Sequence, residues 1–137
     1  MQNLFISPDD EFVVSFCVAM DKDDTIFCDL KKDSLISSLE AMRRNIDDFS
    51  IVEYSATFKR PSFGDTAELY GSIVMNDDGV SINPIEVRFR KLTALIKSWN
   101  LTGENKKPTE EEIRQLHPII ATSIGILVDL ETGSIFN

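Results

Sequence analysis

A chain of 137 residues with 42% apolar side chains has the length of one domain and the material for a core. Its formal charge of -9, from 14 Lys and Arg against 23 Asp and Glu, excludes a sequence-independent grip on nucleic acid and disfavours an anionic membrane surface. No apolar run approaches the roughly 18 residues that span a bilayer, and "MQNLFISPDDEF" lacks the basic and apolar stretches of a signal peptide, so a cytoplasmic protein is expected.

"EFVVSFCVAM" alternates, with Phe12, Val14, Phe16, Val18 and Met20 on one face and Val13, Ser15, Cys17 and Ala19 on the other. Period two and β-branched content predict a strand. "DKDD" (21–24) reads as a turn, and "TIFCDL" as the second strand of a hairpin. Cys17 and Cys28 lie within these apolar runs; the two could pair, and reduced, buried thiols are the expected state. In "KKDSLISSLEAMRRNIDDF" the period changes. Leu35, Leu39, Met42 and Ile46 predict a helix over roughly residues 34–46, capped by Asp33 or Ser34. "SIVEYSATFKR" returns to period two and predicts a third strand, ended by Pro61.

"PSFGDTAELYGSIVM" predicts a short helix with Asp65 as its cap and Ala67, Leu69 and Ile73 along it. "NDDGVSINP" (76–84) is a loop, and Pro84 suits the first turn of the next helix. Ile85, Phe89, Leu92, Leu95, Ile96 and Trp99 keep a period near 3.6, which predicts one helix running to Trp99. After the connection "LTGENKK", Thr109 and Glu112 have capping-box spacing. Pro118 can open a final helix, "PIIATSIGILVDLETG", with Gly133 as its C-terminal cap. That helix is apolar nearly all round and is expected to be largely buried. The fold class is α+β in a single domain (1–137): an N-terminal β-hairpin, a further strand and helix, and a mainly helical C-terminal half.

Chemistry is sparse. One histidine, His117, and two scattered cysteines cannot supply a zinc site of standard spacing. "DKDD" begins like a calcium loop, but Ile26 stands at the sixth position and Lys32 at the twelfth. No phosphate-cradling glycine loop, dinucleotide fingerprint or nucleophile elbow is present. The expectation is a protein that is not an enzyme, with no catalytic, cofactor-binding or metal-binding residues. Charge is uneven. Residues 1–30 carry seven acids (Asp9, Asp10, Glu11, Asp21, Asp23, Asp24, Asp29) and one base, Lys22, whereas Arg88, Arg90, Lys91 and Lys97 stand against Glu86 alone between 86 and 99.

"LTALIKSWNLTGENKKPTEEEIRQLHPIIATSI" resembles the C-terminal half of small tailed-bacteriophage proteins of the tail assembly chaperone group. Leu95, Trp99, Asn100, Leu101, Gly103, Pro108, Thr109, Leu116 and Pro118 carry the likeness, and "FKRPSFGD" (58–65) is similar to an earlier motif of such proteins. The resemblance implies a phage morphogenesis protein, a tail or baseplate assembly factor or virion component, acting by protein–protein binding. It implies as partners other phage structural or assembly proteins, or a second copy in a homo-oligomer, with no nucleic acid and no membrane. The implied place is the host cytoplasm during assembly, or the virion. Phe63, Arg88, Arg90 and Lys91 are the candidate partner-binding residues. The other reading is a host-directed or regulatory binding module without catalytic activity.

Overall fold

The computed structural model describes residues 4–74 and 83–133. The alternating first segment forms β1 (Glu11–Met20), and Asp21 turns the chain by accepting the amides of Asp23 and Thr25 on its carboxylate. β2 (Ile26–Asp29) returns antiparallel, from Met20↔Ile26 to Cys17↔Asp29. α1 (Lys32–Ala41) follows, then a 3-10 turn (Ile46–Asp48) capped by Asn45, then β3 (Ser50–Lys59). β3 pairs with the whole of β1, from Glu11↔Lys59 to Met20↔Ser50. α2 (Phe63–Val74) and α3 (Pro84–Leu95) come next, then β4 (Ile96–Trp99), α4 (Glu110–Arg114) and α5 (Pro118–Thr132). The described strands make one antiparallel sheet in the order β2-β1-β3-β4, and the fold is α+β with an N-terminal hairpin and a helical C-terminal half.

Period two in β1 gives the sheet two different faces. Phe12, Val14, Phe16 and Val18 point into the main core with Ala56 and Phe58 of β3, beneath Leu92 and Leu95 of α3 and Ile124 and Val128 of α5. Cys17 and Ala19 point the other way, into a smaller core with Leu35 and Leu39 of α1. Cys28 joins the main core. The two thiols therefore lie on opposite sides of the sheet, both are free, and burial raises the pKa of each. No α1 residue covers the far end of the second face, and Val13 is 61% exposed there.

Four elements depart from the patterning. α1 stops at Ala41, short of residue 46, because Arg43 adopts a left-handed φ of 60°, while the amides of Arg43 and Arg44 bond back to Glu40 and Leu39. Glycine usually occupies such a position, so its absence hid the stop. α2 is capped by Ser62. The Ser62 hydroxyl accepts the Asp65 amide and the Asp65 carboxylate accepts the Ser62 amide, so Asp65 is the third helical residue of a reciprocal box. Of the residues expected along α2, Leu69 is half-buried and Ala67 exposed. α5 is buried along only part of its girth: Ile124, Gly125 and Val128 face inward, while Ile119, Ile126 and Leu130 are exposed.

The largest departure is at Trp99. α3 ends at Leu95, and Ile96–Trp99 turns into an edge strand against Ala56–Phe58. A bulge between Thr57 and Phe58 shifts the register, so Ile96 pairs with Phe58 and Trp99 with Ala56. Both then point into the main core. Spacing of three between inward residues is helical in appearance and here comes from a bulged strand. The loop read at 76–84 lies outside the described residues up to 82. Asn83 caps α3 by accepting the Ile85 amide, and Pro84 occupies the first turn as expected.

Trp99 closes β4 onto the core with 4% of its surface exposed, and its indole N–H finds no acceptor among the described residues. Trp99→Ala is expected to cost about 3–5 kcal/mol in urea unfolding. Trp99→Phe should cost clearly less, because it removes the unpaired donor along with the lost area. Equal stability of Trp99→Ala and the parent would show that β4 is not held by this side chain.

Candidate functional site

A cleft of about 510 Å³ lies between α2, α3 and α4. Three ion pairs lie within its lining. Lys59 meets Asp65 at 3.0 Å, Arg90 meets Glu86 at 3.0 Å, and Arg114 meets Glu110 at 3.2 Å while its guanidinium stacks 4.2 Å from the Phe89 ring centre. Burial raises the pKa of the Tyr70 hydroxyl at the cleft wall, with the Asp129 charge adding to it. A cleft whose cations are each matched by a carboxylate offers no net charge to an anionic ligand. His117 caps α5, its Nδ1 accepting the Ile119 amide at 3.2 Å. Among the described residues no three His, Cys, Asp or Glu side chains stand close enough to hold a metal ion.

The proposed partner-binding residues separate into three situations. Phe63 is 92% exposed at the first position of the boxed helix α2. Arg90 is exposed on α3 beside its Glu86 partner. Arg88 lies along α5, 3.7 Å from Asp129, and a Cβ on Gly125 would come within 2.3 Å of its Cδ, so Gly125 is the place where α5 admits this side chain. Lys91 corrects the expectation of an open basic face. It is buried, at 5% exposure, and donates to the Asp129 carboxylate at 2.9 Å and to the Gly133 carbonyl at 2.7 Å. Helical geometry places residue 91 one turn beyond the buried Val87, and Lys91 reaches the end of α5. The ammonium therefore neutralises the negative C-terminal end of α5. The sequence showed the charge at 91, while its burial depended on where α5 ends.

The residues that carry the phage likeness are architectural. Trp99 and Leu116 pack in the core, Asn100 exchanges its Oδ1 and amide with the Ser55 amide and carbonyl, and Pro108 is buried. Thr109 forms the expected capping box with Glu112, and Gly103 turns the loop at φ 98°. Exposed apolar side chains, which composition alone could not locate, include Phe63, Leu4, Phe5, Ile85, Leu130 and Val13. No protein-family model, curated protein or solved structure matches the chain.

Lys91→Ala is expected to cost about 3 kcal/mol, because Asp129 would keep a half-buried, poorly compensated charge. Arg90→Ala should stay within about 0.5 kcal/mol, as its pair is exposed. Similar losses at both positions in urea titrations would refute this division.

Two carboxylates also set an acid limit. Asp65 is held below the usual carboxylate range by the Ser62 amide and then by Lys59. Glu112 is held low by the Thr109 amide and then by Lys106. A folded-state pKa below the unfolded value gives stability that is present above the ordinary carboxylate range, near pH 4, and is lost as pH falls through the depressed value. The urea midpoint should therefore fall below about pH 4, and fall less steeply in the double variant Asp65→Asn, Glu112→Gln. Identical slopes for both proteins would place the acid sensitivity elsewhere.

Proposed function

We propose that the protein is a bacteriophage morphogenesis protein, a tail or baseplate assembly factor that acts by binding other phage proteins. The observation that carries the binding part of this reading is Phe63. A fully presented aromatic side chain stands on a helix whose first turn is locked by the Ser62–Asp65 box and by the Lys59–Asp65 ion pair. A protein exposes a large ring on a rigid element at a cost in solubility, and such rings are what binding hot spots are made of. The cations of the cleft beside α2 are each matched by a carboxylate, and its described lining residues offer no convergent acid, base and nucleophile. The phage assignment itself is supported by the sequence likeness over residues 58–65 and 92–124. Because those residues build the fold, the likeness speaks for a shared architecture, and partner choice falls to exposed groups such as Phe63 and Arg90.

The test is Phe63→Asp in a phage that lacks the gene, with co-purification of tail and baseplate proteins from infected cells. The variant should keep the parent's circular dichroism and unfolding midpoint. Loss of a hot-spot aromatic should weaken association by about 2 kcal/mol or more, roughly 30-fold, and complementation should drop with it. Full complementation by the variant would remove Phe63 from the interface. A parent protein that recovers no tail or baseplate component would remove the phage reading.

A further inference from the structure

The sheet has an unfinished edge. Arg60 donates its amide to the Asp10 carbonyl, which makes Asp10/Arg60 a bonded pair and sets the phase of the β1–β3 ladder. Even-numbered residues of β1 thus bond to β3, and odd-numbered residues turn their N–H and C=O groups to the other side. There β2 takes up Cys17 and Ala19 and then leaves the sheet after Asp29. The backbone groups of Glu11, Val13 and Ser15 have no hydrogen-bond partner among the described residues, and the three side chains are exposed. Three donors and three acceptors in one straight row are a template for an added strand.

α5 decides what can occupy it. The helix packs on β1 and β2, with Ser123 near Cys28 at one end and Glu131 paired at 3.2 Å with Arg60 near the other. It therefore runs along the main-core face of β1, past the free edge. A second copy paired antiparallel to this edge about Val13 would place its own α5 on the same side of the joined sheet. The two strands would lie about 4.8 Å apart, while packed helices need about 8–10 Å. A single extended segment brings no helix and fits. The chemistry beside the edge is acidic, with Asp9 and Asp10 at one end, beside a Glu11 already paired with Lys97 at 3.1 Å, and Asp29 at the other. Along α5, Leu127 is half-buried against the main core and Leu130 is 74% exposed.

We infer that the Glu11–Ser15 edge of β1 takes an extended segment of a partner protein as an added strand in line with β2, apolar at alternate positions and Lys- or Arg-rich between them. Main-chain bonds to Glu11, Val13 and Ser15 supply the binding, the apolar side chains lie under the flank of α5, and the basic ones answer the acidic ends of the edge. This inference rests on the reading of the chain as a protein-binding module, and names a second surface for it that does not involve Phe63.

The probe is a nine-residue peptide of alternating valine and lysine, titrated against the full chain and followed by amide NMR and calorimetry. The amides of Glu11, Val13 and Ser15 should shift and exchange more slowly in the complex, and affinity should fall as salt rises. Val13→Pro removes one edge donor but no bond to β3, since the Val13 amide points away from that strand. It should weaken the peptide about tenfold or more with circular dichroism unchanged. Val13→Lys keeps the backbone and should weaken it through like charge, which covers the case in which the proline variant does not fold. Phe63→Asp should bind the peptide as the parent does, so a phage protein lost by that variant alone would leave the edge standing. No binding by the parent, equal binding by Val13→Lys, or shifts confined to other strands would overturn the inference.

Discussion

The ten-residue antiparallel ladder between β1 and β3 is the constraint on which the other elements depend. Its register aligns Phe12 with Phe58 and Val14 with Ala56, which produces one continuous apolar face, and the stacked rings of Phe12 and Phe58 stand 5.6 Å apart on it. A slip of one residue would turn that whole set outward. α3 and α5 must then cover this face, and α1 covers the part of the reverse face where Cys17 and Ala19 emerge. The remaining features follow from how each helix is held at that distance. Gly125 admits Arg88, and Lys91 reaches across to Asp129 and the end of α5.

Much of this was legible in the residues, where local chemistry and tertiary demand agree. β1 and β3 alternate cleanly because each has two different faces to satisfy. Thr109 and Glu112 form their box because both halves of it lie within one turn. Pro84, Pro118 and Gly133 stand at the helix ends that their backbones favour. Legibility failed where a distant element made the decision. Nothing within "ALIKSW" ends a helix. The open edge of β3 recruits Ile96–Trp99 as a strand, and a bulge preserves an inward spacing that imitates a helix. Arg43 takes a conformation that its side chain disfavours because β3 has to begin close by. On α5, an apolar composition promised burial, yet the sheet and α3 together reach only part of the helix surface.

The candidate surfaces were readable by residue type but not by environment. Arg88, Arg90 and Lys91 look alike along the chain, and the fold gives them unlike surroundings. Arg90 is solvated beside Glu86, Arg88 leans on Gly125, and Lys91 is sealed beneath the end of α5. Phe63 was recognisable as an aromatic beside a proline, and its exposure follows from standing at the outer start of α2. The free edge at Glu11–Ser15 had no sequence signal, since it depends on β2 being shorter than the strand it pairs with.

The opposed thiols of Cys17 and Cys28 have a use of their own. Neighbouring strands with side chains on opposite faces cannot be joined by a disulfide without rebuilding the sheet. Each sulfur sits beneath a different helix, Cys17 under α1 and Cys28 under α5. The molecule thus carries one internal clock and one reference. The rate at which a thiol reagent reaches buried Cys17 times the lifting of α1, and the half-buried Cys28 reports the reagent's access to the other face. The difference between them isolates the opening of the α1 face.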